Sequence, residues 1–211
     1  MCIRDRSRHA NGYRSWAGLS KNDNKVPSFG QNLTFFFKYQ IGWSYLRYFM
    51  WNFAGRQNDV QGEYNILNGN WISGINFIDQ LRLGNQSELS EDQKNNKARN
   101  TYFFLPLILG IIGLIYCYKY DIKSFWTLLL LFLFTGLALK FYLNERPFEP
   151  RERDYSVVGS FYIFCMFIGL GGFYISKIFE SLKIRFSQII SFLMMNQQLL
   201  VLPLKMKRLM N

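Results

Sequence analysis

The residues best suited to chemistry lie in one short ionic stretch, NERPFEPRERDY, at positions 144–155. Its two prolines fix the backbone φ angle and resist helix formation, so we predict a stiff, extended loop. The apolar runs 125–143 and 157–175 flank this loop, and each is long enough to cross a bilayer. Its charged residues are the arginines Arg146, Arg151 and Arg153 and the acids Glu145, Glu149, Glu152 and Asp154. A charged loop that is held at both ends is the first place to expect a binding site.

The charges at the end of this loop alternate in sign. In an extended chain, Arg151 and Arg153 would point one way and the acids between them the other way. A planar guanidinium group matches phosphate oxygens in a bidentate geometry, so one hypothesis is that these arginines hold the phosphate of a lipid-linked ligand. The alternative is a self-neutralising loop whose charges pair with one another and only terminate two membrane spans.

A second candidate anion site follows an aromatic segment, in the sequence AGRQNDVQGEYN at positions 54–65. In the functional hypothesis Arg56 binds an anion while a nearby acid orients a hydroxyl group. The alternative is a solvated helix end with an internal ion pair. The full set of candidate phosphate ligands is therefore Arg151, Arg153, Arg146 and Arg56, supported by the polar residues Asp59, Glu63, Glu152, Asp154 and Tyr155.

Composition excludes several other chemistries. The chain has 211 residues, three cysteines and one histidine, too few for a zinc site, a Cys–His nucleophile pair or a disulfide framework. A reactive centre must therefore use carboxylates, arginine, lysine, tyrosine or backbone groups. The formal charge is +11, but no dense basic cluster is present, so we expect no nucleic-acid partner. The basic residues fit the flanks of a membrane protein better.

Three apolar runs, at 102–118, 125–143 and 157–175, predict transmembrane helices. The only charge inside them is Lys140, near enough to the end of its run to reach the membrane surface. The link between the first two runs is short, so they should form a hairpin. The loop 144–155 must then emerge on the same side as residues 28–100. Six basic flanking residues on one side against five on the other do not fix the orientation.

The segment 32–53 predicts an amphipathic aromatic helix. Its apolar face has the alternating spacing of one helical side, and three polar residues form a narrow stripe. Because charges would lie deep in hydrocarbon if it crossed the bilayer, we expect it to lie on or beside the membrane. The alternative is an aromatic packing helix with no ligand. The apolar face is Phe35, Tyr39, Gly42, Leu46, Phe49 and Phe53, and the stripe is Gln40, Ser44 and Arg47.

Together these patterns predict an all-α membrane protein with three or four transmembrane helices and an interfacial amphipathic aromatic helix. Small residues in the third run, Gly159, Ser160, Gly169, Gly171 and Gly172, predict close helix packing. The opening MCIRDR resembles a translated sequencing-adapter tag, so residues 1–7 are set aside. The remaining divisions are loop or disorder at 8–27, an extramembrane or interfacial helical segment at 28–100, a transmembrane block at 101–179, and a tail at 180–211 that is either a fourth span or the product of a frameshift.

Several stretches resemble one family of large bacterial multi-pass membrane proteins of unknown function, related to the protein O-mannosyltransferases in the C-type membrane glycosyltransferase clan. They are LRYFMWNFAGRQNDVQG, NWISGINFID, LPLILGIIGL with FTGLALKFYLN, and PRERDYSVVGSFY. The resemblance covers residues 27–175. It implies that this chain is an internal fragment of a larger polytopic protein in the bacterial inner membrane.

The resemblance also implies an activity. Such an enzyme moves a sugar from a polyprenyl-phosphate donor to an acceptor protein or glycan on the extracytoplasmic face. Its catalytic acid, in an earlier loop, would act as a base or bind a metal beside the donor phosphate. That loop lies upstream of this sequence, so we assign no catalytic residue, identify no cofactor and leave the need for a divalent metal open.

Two other classes of function stay open. A polytopic transporter or lipid-handling protein would place ionisable residues at mid-span or break its helices, and the three runs show neither feature. A non-catalytic membrane scaffold would use the charges of loop 144–155 for stability alone. All three classes share the lipid bilayer as a partner, and the first adds a lipid-linked sugar and its acceptor.

Overall fold

The computed structural model describes residues 7–20, 26–62, 64–147 and 154–209. The described chain is mostly helical. Its α-helices are α1 Ser7–Ala17, α2 Phe29–Phe35, α3 Tyr48–Phe53, α4 Asn76–Leu83, α5 Glu91–Lys94, α6 Leu105–Tyr120, α7 Ile122–Leu133, α8 Leu139–Leu143 and α9 Val158–Leu209. The strands β1 Gly55–Arg56 and β2 Asn100–Thr101 form one short antiparallel pair.

Two π-helical segments join α-helices into longer units. The segment Phe36–Arg47 connects α2 to α3, so residues 29–53 form one continuous helix, which we call the aromatic helix. The segment Phe134–Ala138 connects α7 to α8, so Ile122–Leu143 is also continuous, and we call it the middle helix. A π-helix closes i→i+5 hydrogen bonds, is rare, and is frequently found at functional sites.

Two helices are long and apolar enough to cross a membrane, namely the middle helix, Ile122–Leu143, and the portion Val158–Arg185 of α9. Helix α6 is also apolar but has 16 residues. At 1.5 Å per residue it is about 24 Å long, somewhat less than the ~30 Å hydrocarbon core. The coarse prediction, a helical chain with membrane-length apolar helices, is therefore confirmed for two of the three runs.

The three apolar helices run up, down and up. Helix α6 ends at Tyr120 and α7 begins at Ile122, with Asp121 capping α7 by accepting a hydrogen bond from the Ser124 amide. Gly110 of α6 faces Phe164 of α9, and Tyr116 contacts Tyr174, so α6 and α9 are parallel. The C-terminal end of the middle helix therefore lies at the same end of the bundle as the beginnings of α6 and α9.

Glycines bring α6 and α9 into backbone contact. A Cβ atom on Gly113 would collide with the Phe167 carbonyl, and one on Gly171 would collide with the Leu109 carbonyl. Of the small residues that the sequence singled out, Gly171 therefore lies in the helix interface. Gly169 and Gly172 have nothing within 4 Å of where a Cβ atom would be, so they do not contribute to it.

The aromatic helix packs its C-terminal half against the middle helix and α9. Phe49 and Phe53 lie 4.8 and 4.7 Å from the ring of Phe164, both in edge-on geometry. Phe132 of the middle helix approaches Phe49 from the other side at 6.0 Å. Each such pair contributes about 0.5–1.5 kcal/mol beyond the area that it buries.

The face of the aromatic helix differs from the predicted one. Leu46, expected on the buried side, is 47% exposed, whereas Tyr45 is 1% exposed. The reason is the π-helical segment, in which each turn takes about one residue more than an α-helical turn, so the buried positions shift along the chain. The helix also begins earlier than predicted, at Phe29, because Ser28 and Gln31 form a capping box.

The prediction of loop or disorder for 8–27 is wrong for its first half, residues 8–17. Residues Ser7–Ala17 form α1, with Tyr13 and Ala17 buried. The Tyr13 ring lies 4.7 Å from Phe35, and its hydroxyl donates a 2.6 Å hydrogen bond to Asn32. Packing against the aromatic helix thus overrides a polar composition that favours loop.

The structure also bears on the tail, residues 180–211, for which one alternative was a fourth span. Helix α9 runs as one unit from Val158 to Leu209, 52 residues or about 78 Å. A separate fourth span would need a reversal of the chain near residue 180, and the described backbone has none there. The residues after 180 therefore extend the third apolar helix.

The close packing of α6 on α9 predicts opposite effects for two neighbouring substitutions. Gly171→Ala places a methyl group against the Leu109 carbonyl and should destabilise the chain by about 1–3 kcal/mol. Gly172→Ala meets nothing and should leave stability unchanged or raise it, because alanine favours helix by up to roughly 1 kcal/mol. Thermal unfolding of both variants in detergent measures this, and equal shifts would contradict the proposed interface.

Candidate functional site

The structure describes residues 144–147 and 154–155 of the ionic loop, and the first of these parts begins with a sharp turn. Asn144 has a φ of +45° and ends the middle helix in the left-handed conformation. Asparagine adopts this conformation more readily than most residues, which makes it a suitable helix terminator. The turn sends Glu145 back toward the last turn of the helix that it has just left.

Glu145 forms a buried ion pair with Lys140. The Lys140 Nζ atom lies 2.6 Å from Glu145 Oε2, and the two side chains are 6% and 9% exposed. The Ser44 hydroxyl donates a 3.1 Å hydrogen bond to the same oxygen. The prediction that Lys140 reaches toward the membrane surface is therefore wrong, because an acid five residues away provides a partner inside the protein.

One oxygen of Glu145 has no such partner. Its Oε1 atom is buried and makes no hydrogen bond within the part of the chain that the structure describes. A buried carboxylate oxygen without a donor costs free energy, about 1–3 kcal/mol for an unsatisfied polar group and more for a charged one. Such an atom is a ready acceptor for a ligand hydroxyl group.

The polar stripe of the aromatic helix holds the loop in place. Gln40 donates to the Asn144 side-chain oxygen, and Tyr39 donates a 2.8 Å hydrogen bond to the Arg146 carbonyl. His9 of α1 adds a 2.6 Å contact between its Nδ1 atom and the Pro147 carbonyl. Gln40 of the stripe and Tyr39 of the apolar face thus both contact the loop. The aromatic helix, α1 and Lys140 of the middle helix together fix residues 144–147, which we call the anchored loop.

An aromatic wall stands beside the anchored loop. The Trp16 ring lies 5.7 Å from Tyr39 and 6.0 Å from Trp43, and Tyr64 lies 5.0 Å from Trp43. The Arg47 guanidinium stacks 4.6 Å from the Trp43 ring and donates to the Gly69 carbonyl. Arg47 is thus buried as part of the wall, although the sequence placed it on a polar stripe.

The remaining candidate residues include some that the structure describes and others that it does not. Arg146 is exposed, and Tyr155 is 70% exposed in the short 3₁₀ turn Asp154–Ser156 that precedes α9. Glu63, Arg151, Glu152 and Arg153 lie outside the described residues. The expectation that Arg151 and Arg153 point the same way therefore stays a prediction.

Arg56 does not belong to this site. It lies on β1, with its guanidinium 4.0 Å from the Trp51 ring and donating to Asn52 at 3.3 Å. β1 follows the C-terminal end of the aromatic helix, whereas the anchored loop contacts Tyr39, 14 residues before Phe53. That separation is about 20 Å along the helix, so the structure does not bring Arg56 together with Arg146.

Asp59 does not pair with Arg56 either. It is exposed, and its described contact is a 3.4 Å hydrogen bond from the Asn96 side chain. The ion pair expected at this helix end is therefore not formed between these two residues. The Arg56 Nε atom is buried and has no hydrogen-bond partner among the described groups.

Buried polar residues near Arg56 were not predicted from the sequence. Gln57 and Asn70 bond to each other at 2.9 Å, and Asn58 accepts from the Gly69 amide at 2.9 Å. Asp79 accepts three hydrogen bonds of 2.8–3.0 Å from Ser73 and Gly74. The density of amide side chains in RQNDVQGEYNILNGN was the available signal. Because these groups are bonded internally, they serve to shape the loop.

No group of three or more His, Cys, Asp or Glu side chains with the arrangement of a metal site occurs in the described chain. The oxygen atoms of the candidate site come from a single carboxylate, Glu145, that is already paired with Lys140.

Comparison of the chain with protein-family models, curated proteins and solved structures finds no match. The family resemblance therefore remains an expectation from sequence motifs.

The buried ion pair predicts strongly coupled substitutions. Lys140→Met or Glu145→Leu alone leaves one charge buried without its partner and should destabilise the chain by about 3–5 kcal/mol. The double variant removes both charges and should recover much of that loss. Thermal unfolding of all three variants in detergent checks this, with Lys123→Met as an exposed control. Additive effects in the double variant would show that the pair contributes no coupling.

Proposed function

We propose that this chain is part of a polytopic membrane glycosyltransferase, similar to protein O-mannosyltransferases, that moves a sugar from a polyprenyl-phosphate donor to a protein or glycan acceptor on the extracytoplasmic face. The observation that supports it most directly is the anchored loop. This loop offers a buried Glu145 oxygen that has no hydrogen-bond partner among the described residues, directly before a segment with two further arginines.

A membrane location is the first element of the proposal. Within the apolar windows of the middle helix and of α9, 11% and 22% of the residues are buried inside the protein. A core helix of a soluble protein would be mostly buried, so these outward apolar side chains are suited to contact with lipid. In this proposal α6 is a third span in the inner membrane, and the aromatic helix lies at the interface.

The donor contacts form the second element. A lipid-linked sugar presents a phosphate group and several hydroxyl groups close together. Arg151 and Arg153 supply guanidinium groups for the phosphate, with Arg146 at the start of the same segment. Glu145 Oε1 accepts a hydrogen bond from a sugar hydroxyl, while Lys140 neutralises the carboxylate so that it does not repel the phosphate.

These contacts assign Glu145 to donor binding and not to catalysis. Glu145 is committed to Lys140 and Ser44 through its other oxygen, so we give it a role in holding the donor. The catalytic acid would come from another part of the full protein. Tyr155, in the 3₁₀ turn before α9, and Asp154 would contribute further polar groups to donor binding.

Ion-coupled transport is the second candidate, and one observation favours it. The π-helical segment Phe134–Ala138 interrupts the middle helix a few residues before the Lys140–Glu145 pair. Buried ionisable pairs and irregular helices are features of transporters. Transport predicts that substitution of this pair changes substrate uptake into vesicles while sugar transfer is absent.

Sugar transfer by the full-length protein tests the donor role. Arg151→Ala combined with Arg153→Ala removes two charged hydrogen-bond donors and should reduce transfer from a polyprenyl-phosphate sugar by about 100-fold. Lys94→Ala combined with Lys97→Ala removes the same charge from an exposed surface and should have little effect. Membrane insertion of each variant is measured first. Transfer that survives the loss of both arginines would reject the phosphate-binding role.

Cysteine labelling tests the membrane arrangement. Single cysteines replace Glu88, Lys123 and Tyr155, all exposed, in a background without Cys2, Cys117 and Cys165. With three spans, an impermeant thiol reagent should label positions 88 and 155 from one side of intact vesicles and position 123 from the other. Labelling of all three from the same side would exclude the three-span arrangement.

A further inference from the structure

A cleft of about 380 Å³ lies at the end of the bundle opposite the anchored loop. It opens where α6 stops at Tyr120 while α9 continues beyond it. Three tyrosine rings form its floor, with Tyr116 lying 4.6 Å from Tyr120 and 5.0 Å from Tyr174. The remaining lining residues are Lys177, Ile178, Ser181, Leu182 and Arg185.

Helical spacing places the polar lining residues in one row. Lys177, Ser181 and Arg185 are four residues apart on α9, so their side chains project from the same face. Ile178 and Leu182 lie beside them and are 41% and 45% exposed. The cleft therefore combines two cations and a hydroxyl group with an apolar flank.

The charges around the cleft are mostly positive. Five basic residues lie at this end of the helices, Lys119, Lys123, Lys177, Lys183 and Arg185, against the two acids Asp121 and Glu180. Hydrogen bonds from the Ser124 hydroxyl and amide lower the pKa of Asp121 and occupy that carboxylate. The Lys177 Nζ atom lies 4.7 Å from the centre of the Phe173 ring. No described acid lies within ion-pair distance of Lys177 or Arg185, so neither charge is neutralised by a described carboxylate.

We propose that this cleft binds the phosphate group of an anionic phospholipid. Lys177 and Arg185 contact the phosphate, Ser181 donates a hydrogen bond between them, and the tyrosine rings lie at headgroup depth, where such rings are favoured at membrane surfaces. The apolar flank of Ile178 and Leu182 accommodates the start of an acyl chain. A free phosphate ion would use the cations but gain nothing from that flank.

This proposal concerns a different end of the molecule from the anchored loop and does not depend on sugar transfer. It does require that the cleft reach the lipid headgroups. The apolar run 157–175 ends two residues before Lys177, so the cleft lies in the more polar last third of the portion Val158–Arg185.

Lipid binding to the purified chain in detergent tests the proposal. Native mass spectrometry compares the dissociation constants of phosphatidylglycerol and phosphatidylcholine. We expect a preference for the anionic lipid of about tenfold or more, since each basic side chain near an anionic headgroup contributes roughly a fivefold gain. Lys177→Gln combined with Arg185→Gln should abolish most of this preference.

A matched control removes the same charge outside the cleft. Lys123→Gln combined with Lys183→Gln alters two exposed residues at the same end and should keep the preference. Equal losses in the two double variants would overturn the proposal, because general surface charge would then explain the binding. Ser181→Glu, a single exposed substitution, should also weaken phosphatidylglycerol binding and serves if the cleft double variant unfolds.

Competition with inorganic phosphate distinguishes a lipid headgroup from a free phosphate ion as the ligand of the cleft. Millimolar phosphate should displace little phosphatidylglycerol, because the apolar flank contributes to lipid binding alone. Complete displacement by phosphate, or equal affinity for the two lipids in the unaltered chain, would overturn the assignment to a lipid.

Discussion

The buried ion pair between Lys140 and Glu145 is the constraint on which the candidate site depends. Removing two charges from water is costly, and the pair offsets that cost only if both groups are held in good geometry. Asn144 makes this possible by turning the chain back on the middle helix, and Ser44 of the aromatic helix adds a donor. The pair thus ties two helices and the beginning of the arginine-rich loop into one unit.

The glycine contacts between α6 and α9 set the second constraint. Backbone approach at Gly113 and Gly171 leaves no room for a side chain, so the two helices have one preferred register along each other. In lipid, where no hydrophobic effect drives helices together, such close van der Waals contact is the main source of association. This register also aligns Tyr116 with Tyr174 and thereby forms the floor of the basic cleft.

Sequence patterns predicted the long apolar helices better than the details that depend on how the helices pack. Apolar length located the middle helix and α9, because a membrane-length run has few alternative structures. The phase of the aromatic helix was mispredicted at Tyr45 and Leu46, since a π-helical segment leaves no compositional signal. Lys140 and α1 were mispredicted for a different reason. Their structures depend on contacts that form only on folding: the turn at Asn144 returns Glu145 to Lys140, and Tyr13 of α1 packs on Phe35.

The distance along α9 between the level of the anchored loop and the basic cleft can be compared with the thickness of a membrane. Ser160, which contacts Tyr45 of the aromatic helix, is 17 residues before Lys177 on α9, or about 26 Å along the helix axis. That length is close to the ~30 Å thickness of a hydrocarbon core. A single helix of this length can therefore present polar groups near Ser160 to one membrane surface and polar groups near Lys177 to the other. In the proposed membrane arrangement, the cleft would hold α9 at a fixed depth, and this depth would determine how far Glu145 lies from the lipid headgroups.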